Sequence, residues 1–445
     1  MSPPLPKRVD LIIWLSAALC PLILIVFAAN MHPVPDGDSR FFVPTIKSVA
    51  SSRVLENKLV NLSYAIDLSG AGRFLYPTPG TPLIIGSLLA MLGKASYPDI
   101  FLALSVARAL SVLLFAKTVI IVLKDTASRT RPLPLLLASA LVVSNGLFLT
   151  PSNGRPEILS MLIISSATLA SVAIKSTRTR HLLIQLFIGL LLPISIANAL
   201  AGVVFYLLYS SLEPMGFRRR VYCLGSMILF AVFFFASSYA LSNLPLRDGL
   251  EGLATTSSRA YSLSRPSNLG HILPYWKTWM LFGIMASLQL LELARNLWRN
   301  KDTTGMQKTW FFISILLLCI GVHFFGLRVA SSHYQLHAFL PIYQLLALRL
   351  VVDPRLPLER YVTRLSKPLL TLAILLSLLD PLRETLLFPY SIYGGSSYQI
   401  MKTHYESLSA PCAIAYTTSI AMLDEKQMGS IYKQSTTGGS SLVNE

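Results

Sequence analysis

The sequence predicts an all-α fold, a polytopic transmembrane helical bundle of about eleven spans, within a range of roughly 10–13. Three observations carry this expectation. Hydrophobic residues make up 53% of the 445 and charged residues only 13%, with a mean hydropathy of +0.58, far too little charge for a water-soluble surface of this size. The apolar residues fall in runs of membrane length. Between the runs sit short basic clusters, which the positive-inside rule converts into a topology. The same clusters account for the net charge of +17 without any basic domain interleaved with aromatics, so no nucleic-acid partner is expected.

The first run, Leu11 to Ala29, carries no charge over 19 residues, about the ~20 an α-helix needs to cross ~30 Å of hydrocarbon. It is longer than a signal-peptide core and lacks a small-residue cleavage site, so it reads as a retained span with a cytoplasmic N-terminus. Further spans are expected near Asp99 to Leu123, Leu133 to Thr150, Ile158 to Ile174, Leu182 to Ile196, Ala199 to Leu212, Tyr222 to Ser242, Leu273 to Leu293, Trp310 to Val329, Phe339 to Val352 and Leu369 to Pro389. This count puts Lys7/Arg8, Lys124/Arg129/Arg131, Lys175/Arg178/Arg180, Arg218/Arg219/Arg220, Arg295/Arg299/Lys301 and Arg355/Arg360/Arg364 on one side, the cytoplasm. The protein is expected in the cell membrane.

Thr81 to Gly93 is too short to cross unaided and is expected to be interfacial or re-entrant. Leu182 to Leu212, broken at Pro193 and Asn198, reads as a short in-and-out helical pair, because its flanking clusters must share a side. Residues 30–80 form the first extracytoplasmic loop. Within it, Phe41 to Val54 carries apolar residues near helical period and is expected to lie as a helix in the interface. Residues 1–389 make one transmembrane domain, and 390–445 a short Gly/Ser-rich extracytoplasmic tail. Cys20, Cys223, Cys319 and Cys412 have no metal-ligand spacing and build no disulfide framework.

The chemistry-bearing residues concentrate on the outer side. Pro35-Asp36-Gly37-Asp38-Ser39-Arg40 puts two carboxylates and a cation just beyond the first span. Tyr76-Pro77-Thr78-Pro79-Gly80-Thr81-Pro82-Leu83 precedes the short run, and Gly154-Arg155-Pro156-Glu157 precedes a later one. This order resembles the GT-C superfamily of membrane glycosyltransferases, particularly its aminoarabinose-transferase and protein O-mannosyltransferase-like branch. Asp38 matches the family's first acid, Ser39 stands where a second acid is common, and Glu157 stands where Asp is often found. Ser332-His333-Tyr334-Gln335-Leu336-His337 is similar to the family's Tyr/His-rich turn before a late helix. The resemblance implies a GT-C-like fold and inverting hexosyl or pentosyl transfer from a polyprenyl-phosphate donor. The acceptor would be a lipid, glycan or protein at an extracytoplasmic site, in some members with a divalent cation, Mg²⁺ or Mn²⁺.

Elementary chemistry agrees with those roles. Inverting transfer needs a carboxylate to take the acceptor's proton and cations around the leaving phosphate. Asp38 suits the base, with Asp36 and Glu157 as further catalytic carboxylates. Arg155 and either Arg40 or Lys58 suit the phosphate, arginine offering a planar fork and lysine a point charge. Arg108 is costly in hydrocarbon and must face a partner or a polar cavity; near the outer end of its span, it could reach phosphate. Tyr76, His333, Tyr334 and His337 complete the candidate substrate-binding set, and Asp38 with Glu157 could hold a metal. Each motif also has a plain reading: Pro-Asp-Gly-Asp is a turn that caps a helix, and Arg-Pro-Glu is a helix start with Pro at its first position. The alternative function is a non-enzymatic transporter or lipid flippase, which predicts an inverted repeat and acids at mid-membrane.

Overall fold

The computed structural model describes residues 10–19, 39–56, 78–124, 132–147, 157–196, 217–242, 244–251 and 367–379, with isolated helical positions including Asn198, Gly202, Tyr206, Ser210 and Gln344. The helices are α1 (Asp10–Leu19), α2 (Ser39–Ser52), α3 (Gly80–Met91), α4 (Tyr97–Lys124), α5 (Pro132–Leu147), α6 (Glu157–Ala173), α7 (Thr177–Leu190), α8 (Phe217–Leu241) and α9 (Lys367–Leu379). No strand occurs among the described residues. Among the described residues two helices, α4 and residues Val221–Leu241 of α8, are long and apolar enough to cross a membrane.

The ends of α4 show how local chemistry sets a boundary. Ser96 and Asp99 form a reciprocal capping box: Asp99 N–H donates to Ser96 Oγ at 3.3 Å and Ser96 N–H donates to Asp99 Oδ2 at 3.2 Å. Lys94 adds an ion pair to Asp99 at 3.9 Å. At the other end Lys124 Nζ meets Asp10 Oδ2 at 2.7 Å, which pins the start of α1 to the end of α4. In between, Lys117 is exposed while Arg108 is buried, so the two intra-helix cations take opposite faces.

Side-chain pairs fix how the helices run. Arg108 on α4 meets Met161 on α6, and Ser111 meets Ser165, at sequence separations of 53 and 54. The two helices are therefore parallel, as they must be if α5 returns between them. Residues Ile174 to Ser176 turn the chain into α7, whose N-cap is Ser176, so α7 runs back along α6. Past Leu191 the chain reverses again. Gly202 approaches Ile188 and Leu191, and Tyr206 Oη lies 3.1 Å from His181 Nδ1 and accepts from Gln185 Nε2 at 3.0 Å. The expected helical pair over Leu182 to Leu212 is thus an antiparallel hairpin. Ser226 on α8 donates to Gln185 Oε1 at 2.5 Å, and the Cβ position of Gly189 lies 2.7 Å from Phe230 Cβ, so α8 is parallel to α7.

These directions bring Asp10, Lys124, the Lys175/Arg178/Arg180 turn and Arg218 at the start of α8 to one end of the bundle, here the basic end. That sharing of an end is what the spacing of charges required. One element differs in detail from expectation. Helix α2 does not lie with one wet face: residues 42–46 and 48–50 are buried, and Lys47 sits 4.6 Å over the Tyr97 ring. Gly86 permits this, because it lets α3 close on Ile46 and Val49 where any Cβ would intrude. Helix α3, with 12 residues, is too short to cross ~30 Å. Its first residue is instead inserted into the bundle, with Gly80 N–H donating to Pro193 O at 2.8 Å.

Candidate functional site

The convergence point lies at the opposite end from the basic clusters. The α4 to α6 offset places Glu157 level with Leu104. The turn at 174–176 puts Ala173 beside Thr177, so the same distance further along each helix puts Glu157 level with Pro193. Gly80 is bonded to Pro193. The N-terminus of α3, the N-terminus of α6, the tip of the α7 hairpin and the Leu104 to Arg108 turn of α4 therefore share one level. Tyr97 extends roughly 10 Å beyond it at ~1.5 Å per residue. By its register with α7, α8 overshoots by a similar length, so the level is recessed within the end rather than flush with it.

Helical periodicity then selects which side chains meet. Ser105, Arg108 and Ser111 form one stripe of α4 at three-residue spacing, and Glu157, Met161 and Ser165 form the facing stripe of α6 at four. Ser111 and Ser165 hydroxyls are 3.1 Å apart, and Arg108 Nη1 donates to Met161 Sδ at 3.2 Å. Glu157 is one turn above Met161, about 6 Å along the axis. Arg108 is 1% exposed and Glu157 6% exposed. An acid and a base are thus held in low dielectric, where their fields reach further than in water. Glu157 also sits in the first turn of α6, where the helix dipole favours a carboxylate.

Four further neutral polar groups are buried at this end of the bundle. Thr78, Thr81, Ser105 and Asn198 are each no more than 1% exposed. The hydroxyls of the first three and both amide atoms of Asn198 have no hydrogen-bond partner. Thr78 and Thr81 flank Gly80 at the inserted end of α3, and no side chain caps that helix. Asn198 shares a face with Gly202 and Tyr206, the face turned toward α7, so it is directed at the hairpin tip where Gly80 docks.

Of the sequence-derived candidates, the structure describes the side chains of Arg108 and Glu157, both buried and carried on the facing stripes of α4 and α6. Arg40 belongs to α2, but its side chain lies outside the described residues, as do Asp36, Asp38, Lys58, Tyr76, Arg155, His333, Tyr334 and His337. Among the described residues no group of three His, Cys, Asp or Glu could hold a metal ion, and Glu157 with a guanidinium nearby is not by itself a cation site. Cys223, described and half-buried, is a free thiol. Sequence reasoning did not single out Ser105, nor the burial of Asn198, Thr78 and Thr81. The signal was present only as small polar residues inside apolar runs, which becomes informative once their register is known. Comparison with protein-family models, curated proteins and solved structures finds no match for this chain.

Proposed function

We propose that the chain is an integral membrane glycosyltransferase of GT-C type, transferring a sugar from a polyprenyl-phosphate donor, with inversion, to an acceptor at the end of the bundle opposite the basic clusters. The observation that supports this most directly is that Arg108 and Glu157 are both buried on the facing stripes of α4 and α6, near the level of the N-termini of α3 and α6. Helix N-termini and an arginine favour anionic oxygen. A lipid phosphate entering from the side would find positive potential there, while its sugar faces the carboxylates.

In this reading Asp38, which directly precedes α2, removes the proton from the acceptor hydroxyl or amine as its oxygen or nitrogen bonds to the anomeric carbon. The bond from that carbon to phosphate oxygen breaks, and polyprenyl phosphate leaves with the electron pair. Arg108 and Arg155 stabilise the charge that develops on the departing phosphate. Glu157 orients Arg108 and the acceptor. The basic end is the cytoplasmic one, by the positive-inside rule.

The test is transfer from a labelled polyprenyl-phosphate sugar in proteoliposomes, comparing wild type with Asp38→Asn and Arg108→Met. Loss of at least ~100-fold in each variant is expected, the scale of removing a base or an anion-stabilising donor. Equal turnover in wild type and Asp38→Asn would remove Asp38 from the mechanism. Movement of unmodified lipid between leaflets with no transfer would favour a flippase instead.

A further inference from the structure

The basic end carries an arrangement that the transferase reading leaves unused. Ser226 on α8 donates to Gln185 on α7, and the two helices are parallel, so the residues one heptad earlier face each other across the same seam: Arg178 on α7 and Arg219 on α8. Both are exposed, and among the described residues no carboxylate pairs with either. Arg218, also exposed, is level with Thr177, so the positive ends of two helix dipoles stand side by side at this height. Like charges opposed in this way repel, and an anion shared between them removes the repulsion. Guanidinium forks match phosphate oxygens. Three helical turns further along the seam, roughly 16 Å from Arg178, a cavity of about 120 Å³ opens between α7, the returning helix and α8. Its walls are entirely apolar and include Gly189, Leu192, Val203, Met227, Ile228 and Ala231. Ile228 is 52% exposed, which sets the mouth on the outward apolar face of α8. A cavity so lined stays dry and accepts hydrocarbon. Half of a ~30 Å hydrocarbon core is ~15 Å, the reach of one acyl chain from headgroup to midplane, so arginines and cavity lie one chain length apart.

We infer that the seam between α7 and α8 binds one anionic phospholipid, its phosphate held between Arg178 and Arg219 and one acyl chain running along the seam to end in the cavity at Gly189. Charge and cavity together select this occupant. A soluble phosphate has no use for the cavity, and a neutral lipid has none for the arginines. The site lies at the opposite end from Arg108 and Glu157 and does not depend on any transfer they perform. A lipid seated there touches α7, α8 and the returning helix at once, so its occupancy stabilises their packing.

The test holds the full chain in nanodiscs of phosphatidylcholine with a minor share of dioleoyl phosphatidylglycerol, releases it, and counts the lipids that stay bound by native mass spectrometry. Wild type is expected to keep phosphatidylglycerol at least about tenfold above its share of the membrane, the scale of two arginines acting at a lipid surface. Arg178→Gln combined with Arg219→Gln should bring that enrichment to within about twofold of unity. Ala231→Leu changes no charge but fills the cavity, and should lower enrichment at least about threefold through lost chain burial. Didecanoyl phosphatidylglycerol, whose chains fall short of the cavity, should be enriched less than the dioleoyl lipid by a similar factor. Glycerol phosphate should not displace the bound lipid. The inference fails if wild type shows no enrichment, or if the double arginine variant keeps it. It fails equally if filling the cavity and shortening the chains both leave enrichment unchanged, which would reduce the site to a diffuse basic surface. Polyprenyl phosphate retained more strongly than phosphatidylglycerol would make this end a donor site and overturn it as well. If Ala231→Leu does not fold, the chain-length comparison on wild type decides.

Discussion

At the scale of single residues, burial separates cations that composition treats alike. Arg108 and Lys117 both interrupt one apolar run, yet Arg108 is enclosed against Met161 and Lys117 is exposed on the outer surface of the helix. A lysine on that surface can bend its head toward the polar boundary, whereas a buried guanidinium is held by its surroundings and is not exchangeable for an ammonium. Arg108→Lys is therefore expected to recover less than a tenth of wild-type transfer in proteoliposomes. Lys117→Gln should change neither transfer nor Tm beyond ~0.5 kcal/mol of stability. Recovery of full transfer by the lysine variant would show that only a point charge is needed. The glycines make an equally local prediction. A methyl at Gly86 would sit 2.6 Å from Val49 Cβ, and at Gly225 it would meet nothing within 4 Å. Gly86→Ala should cost about 1–3 kcal/mol by overpacking, while Gly225→Ala should be neutral or gain up to ~1 kcal/mol from helix propensity. Thermal unfolding in nanodiscs reads both.

At the scale of elements, α7, the returning helix through Tyr206 and α8 are joined by a buried polar chain from His181 through Tyr206 and Gln185 to Ser226. In an apolar bundle such a chain sets register, because sliding one helix by a residue would leave several polar groups unpaired. Gln185→Leu removes the two hydrogen bonds that link Tyr206 to Ser226 and should destabilise by about 1–3 kcal/mol. The double variant Gln185→Leu with Ser226→Ala should cost less than the sum of the singles, which a double-mutant cycle on Tm would reveal. Strict additivity would mean the two side chains are not coupled. The same elements show where sequence reading succeeds. Pro193 and Asn198 marked a reversal, and the expected helices at Asp99 to Leu123 and Ile158 to Ile174 are found as α4 and α6 with ends shifted by only a residue or two. Helix α2 was harder. Its periodic apolar positions announce a helix, but whether the opposite face meets water or protein depends on α3 and α4, which approach from other parts of the chain.

At the scale of the whole molecule, the parallel packing of α4 on α6 and of α7 on α8 forces the basic turns to one end and the Arg108 and Glu157 level toward the other. Single cysteines introduced at Arg178 and Arg218 on a Cys-less background should be labelled by a membrane-impermeant maleimide from one side of sealed vesicles, and a cysteine at Lys94 only from the other. Labelling of Arg178 and Arg218 positions from opposite sides would break the hairpin between them. The outward face of α8 carries Tyr222, Leu229, Val232, Phe233 and Leu241, all more than half exposed. That surface suits acyl chains rather than water.

What the sequence by itself determined is the class of fold, the position of most described helices and the segregation of charge, because these follow from run length, periodicity and the cost of ions in hydrocarbon, all local along the chain. Tertiary structure alone decided that Arg108 packs on Met161 and Ser111 on Ser165, that Glu157 is buried, and that the start of α3 is plugged against Pro193. Those pairings depend on the relative register of helices separated by dozens of residues. Register is set by how glycine gaps, serine pairs and a buried hydrogen-bond chain interlock, and no periodicity within a single run encodes it.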